Sequence, residues 1–134
     1  MQPEGWPRPR GYANGAVTRG RTLHVAGQVG WNEGGVFVAK DLPGQLAQAL
    51  DNVLAVVRAA GGAPEDIAHM RVYVTDLDAY RGSLREVGAA WKARLGRHFP
   101  AMALVGVAGL VEREALVEIE AVAVLPDEGG GASA

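Results

Sequence analysis

The chain has 134 residues, 49% of them apolar, and a formal net charge of −2. That length fits one domain with a sizeable core, and the slightly acidic balance argues against a nucleic-acid binder that works by neutralising phosphates. No cysteine is present, which excludes disulfides, thiolate nucleophiles and cysteine-ligated zinc.

From the N-terminus, "MQPEGWPRPRG" has no apolar stretch of the kind a secretory signal needs. No uncharged apolar run reaches the roughly 18 residues of a membrane span, so the expected location is cytoplasmic. Residues 1–10 read as a flexible arm and 126–134, "PDEGGGASA", as a flexible tail around a single domain at 11–125. "AVTRGRTLHVAGQVGW" suggests two strands turning at Arg19-Gly20, with Val25, Gly27, Val29 and Trp31 on one face of the second. "GGVFVAK" suggests a further short strand.

The first helix is marked by Asp41 as N-cap, Pro43 in the first turn, and an apolar stripe of Leu42, Leu46, Leu50, Val53, Leu54 and Val57. Gly61-Gly62 ends it. "IAHMRVYVTD" alternates as a strand, with Met70, Val72 and Val74 on one face. Asp76 or Thr75 then caps a second helix carrying Leu77, Tyr80, Leu84, Val87, Trp91 and Leu95 on one stripe, stopped by Gly96. "AMALVGVAGL" and "LVEIEAVAVL" are the last strands. The order β-β-α-β-α-β-β predicts an α+β two-layer domain, a mixed sheet with two helices on one face. The other face stays open, with Val29, Leu104, Val122 and Val124 as candidates for either side. An exposed apolar face of that size marks association, so a homo-oligomer is expected.

Few residues carry chemistry. Glu118 and Glu120 are two apart on a strand, hence on one face about 7 Å apart. Such a pair suits acid/base work if burial raises a pKa, or an ion pair at an oligomer edge. Gly27 and Gly30 permit close backbone approach by a ligand or another chain, or mark a bulge. Trp31 is a pocket candidate, while Tyr80 and Trp91 fit the core better. His98, in a loop before Phe99-Pro100, is a candidate acid or base, or an ordinary surface residue. His24, His69 and His98 are scattered, so no metal site is expected.

Taken in order, "GYANGAV", "VAGQVG", the helix ending in "AAGG", "VYVTDLDAY", "FPAMALVGVAGL" and "LVEIEAVAV" resemble the YjgF/RidA (Rid) family, also labelled endoribonuclease L-PSP or translation-inhibitor-like. The resemblance spans about residues 11–125. It implies a chorismate-mutase-like (YjgF-like) fold, a homotrimer, and ligand clefts between subunits. It also implies hydrolysis of enamines or imines, such as 2-aminoacrylate, to a keto acid and ammonia without metal or organic cofactor. Small molecules and a second copy of the chain are the implied partners, not nucleic acid or membrane.

The implied site has Glu120 orienting a water and the Ala26-Gly27 backbone holding the ligand's polar end. Tyr12, Trp31, Leu84, His98, Met102 and Leu104 surround it. The family's carboxylate-binding arginine, in a "PARS" segment, falls on Met102 of "PAMA", and its helix asparagine on Leu84. Its tyrosine falls near Ala13, one step from Tyr12. Losing a buried arginine–carboxylate pair costs on the order of 2–5 kcal/mol, or roughly 30-fold to several thousand-fold in affinity. The chain therefore resembles an arginine-less branch whose ligand is less anionic or is anchored elsewhere. A non-catalytic metabolite-binding trimer is the second reading. Ribonuclease action is disfavoured because no basic stripe is visible.

Overall fold

Helix α1 (Leu42–Ala59) forms where the stripe predicts it. Asp41 is extended, and its carboxylate accepts a hydrogen bond from the Gly44 amide at 3.1 Å, satisfying one of the unpaired donors of the first turn. Leu46, Leu50, Val53 and Val57 are fully buried. Gly61, at φ +89°, reverses the chain beyond the helix end. The computed structural model describes residues 1–127, so most of the expected tail lies outside the described residues.

Four strands form one sheet: β1 (Arg21–Val29), β2 (Ile67–Val74), β3 (Ala101–Gly106) and β4 (Val117–Leu125), in the spatial order β1-β4-β2-β3. β4 runs antiparallel to both β1 and β2, and β3 is parallel to β2. A parallel neighbour needs a crossover, and helices α2 (Leu77–Arg81) and α3 (Leu84–Leu95) supply it. Met70, Val72 and Val74 of β2 and Val117, Ile119, Ala121 and Ala123 of β4 pack against the α1 stripe and against Val87 and Leu95 of α3. This is the expected mixed sheet with its helices on one face.

One buried polar side chain ties the layers together. Gln45 of α1 is 1% exposed. Its amide nitrogen donates to the carbonyls of Ala39 (3.2 Å) and Glu114 (3.0 Å), and its oxygen accepts from the Leu116 amide (2.8 Å). These bonds hold the start of β4 against α1. Gln45→Ala leaves three part-buried backbone groups without their partner, so a loss of about 1–3 kcal/mol is expected, read as a lower urea midpoint with an unchanged slope.

Four local expectations are corrected. The first hairpin does not form: only β1 is a strand, because Gly20, at φ +144°, passes so close to the Leu125 carbonyl that any side chain there would collide with it. "GGVFVAK" is not a strand either. Asn32 closes a turn, accepting from the amides of Gly34 (2.9 Å) and Val36 (3.0 Å), and Phe37 buries under Val29 and Ala115 in a small second cluster. The predicted second helix is two, α2 and α3, split at Gly82-Ser83, where the Ser83 hydroxyl donates to the Ala79 carbonyl at 2.7 Å. The restart turns Leu84 outward to 55% exposure instead of into the core stripe. Finally, the β1–β4 register slips between Val25 and Gln28, so no β4 residue pairs with Ala26 or Gly27. That bulge sends Val25 into the helix-side core and Val29 into the second cluster, rather than both to one face.

The open face is also more polar than expected. Leu104 is level with Val72 and packs on the helix side. What alternates to the open face is Arg71 and Tyr73 from β2, Glu118, Glu120, Val122 and Val124 from β4, and the exposed Val105 from β3. Among the described residues, no helix is long and apolar enough to cross a membrane.

Candidate functional site

The open face carries a polar array built by strand pairing. Register sets Arg71 opposite Glu120 and Tyr73 opposite Glu118. The Tyr73 hydroxyl donates a short hydrogen bond to Glu120 Oε1, and Arg71 Nη1 lies 4.0 Å from Glu120 Oε2. Both partners of that ion pair are partly solvated, so it orients more than it stabilises. The bond to Glu120 is the main reason the Tyr73 phenol is held above its usual range, with desolvation and the Glu120 charge adding to it and Arg71 opposing. Glu120 is thus committed to Tyr73.

Glu118 is placed differently. No hydrogen bond or ion pair engages its carboxylate among the described residues. It occupies the space where Gly27 lacks a side chain: a Cβ at Gly27 would overlap its carboxylate. The bulge therefore has a second effect, because the missing side chain gives a carboxylate room beside the free edge of the sheet. Sequence reasoning paired Glu118 with Glu120 but could not tell them apart; the glycine at the bulge was the available signal.

A second set of residues lines a groove at the opposite edge. Arg10 and Tyr12 from the N-terminal arm, Leu84 and Trp91 from α3, and Met102 and Leu104 from β3 enclose about 390 Å³. Beyond Met102 and Trp91 the groove continues into about 380 Å³ bounded by Lys92, Arg97, His98 and Phe99. The arm is held beside β3 by the Ala13 amide, which donates to the Pro100 carbonyl at 3.0 Å, and by a bridge between Ala13 and Ala101. His98 Nε2 lies 2.6 Å from the Ile67 carbonyl, so that nitrogen carries the proton and donates. Trp31 is elsewhere: its ring packs on Phe37 with centroids 5.7 Å apart, and it borders neither cavity.

The expected site residues therefore divide in two. Tyr12, Leu84, His98, Met102 and Leu104 gather at the β3 groove. Ala26, Gly27 and Glu120 belong to the other half, around β1 and β4. β1 and β3 are the two edges of the sheet, three strand spacings apart, or roughly 14 Å. Glu120 also faces away from the helix layer that walls the groove. Within one chain the two sets are thus separated by β2 and lie toward different sheet faces. No group of His, Asp or Glu among the described residues could hold a metal ion.

A family model described as endoribonuclease L-PSP matches residues 7–125. The chain is 37% identical over 111 residues to the 2-iminobutanoate/2-iminopropanoate deaminase of Escherichia coli K12, covering 81% of this chain and 83% of that protein. It is 33% identical to the RutC family protein PH0854 of Pyrococcus horikoshii, covering 90% and 92%. Among solved structures, a Rid family protein of unknown function, YyfB from Yersinia pestis, superposes with a TM-score of 0.83 at 35% identity, covering 93% of this chain and 96% of that one. The YjgF gene product of E. coli gives 0.67 at 38% identity, covering 84% and 87%. With a matching family model over nearly the whole domain, and relatives this similar along most of their length, the chain belongs to the Rid (YjgF/RidA, endoribonuclease L-PSP) family.

Proposed function

We propose that this protein hydrolyses an imine or enamine in a cleft made by two copies of the chain, the β1 edge of one facing the β3 groove of the next in a homotrimer. The observation that carries this reading is the unpartnered Glu118 carboxylate of β4, which lies beside Gly27 of the free β1 edge, with β2 between it and the β3 groove. Relatives named as 2-iminobutanoate/2-iminopropanoate deaminases support the reaction class.

In this chemistry a carboxylate takes a proton from water as the water oxygen bonds to the imine carbon, and the C=N electron pair goes to nitrogen, to which the carboxylic acid so formed returns the proton. The carbinolamine then collapses: its hydroxyl proton passes by way of the carboxylate to the amine nitrogen, the C–N bond breaks, ammonia leaves and the O–H electron pair forms the carbonyl. Glu118 is the group free to take that proton. Glu120, fixed by Tyr73 and Arg71, is a second carboxylate on the same face that can accept a hydrogen bond from the water.

The apolar groove supports reading the substrate as one unlike 2-aminoacrylate. Met102 and Leu84 replace polar anchors by apolar surface, and Trp91 and Leu104 extend it. The same apolar lining is what a binding protein without turnover would show. The test is ammonia release from 2-aminoacrylate, from an imino acid with a branched apolar side chain, and from a neutral imine, side by side. Faster turnover of a larger apolar substrate is expected. A preference for 2-aminoacrylate contradicts the altered specificity, and ligand binding with no ammonia from any of the three favours the non-catalytic reading.

A further inference from the structure

The groove beside β3 has lost the arginine that the family pattern places at Met102, yet its charge has one sign. The chain as a whole has more acidic than basic residues, 15 against 13. Even so, no Asp or Glu lines either cavity, while Arg10, Lys92 and Arg97 do. A groove of one sign in a protein of the other concentrates counter-charged solutes.

The arginines that could replace the missing one are separable by their partners. Arg94 is taken: its guanidinium grips Asp51 at 2.7 and 3.2 Å. Arg71 is paired with Glu120, 4.0 Å away. Arg97 has no partner either, but of the two cavities it borders only the second; Arg10 borders the one that contains both Met102 and Leu104 and has no hydrogen-bond or ion-pair partner among the described residues. It is also positioned. Gly11, at φ +78°, turns the chain after it, and the chain is anchored to β3 three residues on, at Ala13.

We infer that Arg10 is the anion-binding residue of this groove, and that the ligand is a monocarboxylate with an apolar body. The carboxylate pairs with the guanidinium at the arm, and the body lies along Trp91, Met102 and Leu104. A planar guanidinium suits a carboxylate because it donates two parallel N–H bonds. Moving the cation from β3 to the arm leaves apolar surface between anchor and strand, which a two-carbon body does not fill. The inference rests on the reading of the groove as half of the small-molecule site, and it assigns the ligand class.

The test is binding, separate from turnover. Titration calorimetry would use 4-methyl-2-oxopentanoate, pyruvate and the neutral amide of the larger acid, with wild type, Arg10→Ala and Arg10→Lys. Wild type is expected to prefer the larger acid to both others. Arg10→Ala should weaken the acid by about tenfold or more, with Arg10→Lys in between, and leave the amide and the melting temperature unchanged. Equal binding of the acid by wild type and Arg10→Ala overturns the inference, as does equal affinity for acid and amide, or no binding of the acid at roughly 10 mM. Arg10-dependent binding without ammonia release from any imine refutes only the hydrolase reading. Imine hydrolysis indifferent to Arg10→Ala refutes only this one.

Discussion

Glu118→Gln is expected to lower kcat by about 10²- to 10⁴-fold, the range for losing a positioned proton acceptor, with KM little changed. Glutamine keeps the size of the side chain and its fit against Gly27, so packing is preserved and only the basic group is lost. Glu120→Gln should cost less. Its carboxylate is bonded to Tyr73 and stands 4.0 Å from Arg71, and glutamine's oxygen still accepts from the phenol. Steady-state ammonia release by the two variants ranks them. Loss of turnover in Glu120→Gln with full activity in Glu118→Gln would reverse the roles assigned here and restore the one that the family resemblance implies for Glu120.

The second large effect concerns Met102. This side chain is partly buried against the helix-side core and borders both cavities of the groove. Met102→Arg can keep its stem on that apolar surface while its head enters the cavity. It would create the carboxylate fork the groove lacks, close to the strand. kcat/KM for 2-aminoacrylate is expected to rise by roughly 30-fold or more, the lower bound for regaining an arginine–carboxylate pair. Branched substrates should lose ground because the added side chain fills their space. Substrate competition assays read both changes, and a melting curve guards against loss of fold. An unchanged preference would mean that this position does not set specificity.

The readability of the chain followed the range of the interactions involved. Asp41, Pro43 and the leucine-valine stripe of α1 are local signals, and they predicted the helix and its buried face. The alternation in β2 and β4 placed Met70, Val72 and Val74 inward and Glu118 and Glu120 together on the other face. What failed depended on partners distant in sequence. Gly20 resembled a turn residue, but it is a glycine because the Leu125 carbonyl presses against it. Gly27 is legible as a bulge candidate, yet nothing local reveals that the side chain filling its space is Glu118. The Gly82-Ser83 break was hidden inside a continuous apolar stripe, and with it the outward turn of Leu84. Arg10 stands in a Pro- and Gly-rich stretch with no local signal of a site, and the pairing of Ala13 with Ala101 brings it to the groove. The two halves of the candidate site lie apart for a topological reason, since β2 separates β1 and β4 from β3. Strand order is not written in the alternation of any one strand.

The central claim is that those halves meet between copies. Subunit mixing tests it most directly, with Glu118→Gln damaging the β1 side and Met102→Trp blocking the groove. Each variant alone should be nearly inactive in ammonia release. Unfolded together and refolded as mixed assemblies, they should recover about a quarter of wild-type activity, because a head-to-tail interface then pairs an intact β1 edge with an intact groove in some clefts. Mixed assemblies no more active than the separate variants would place the whole site within a single chain and contradict the account.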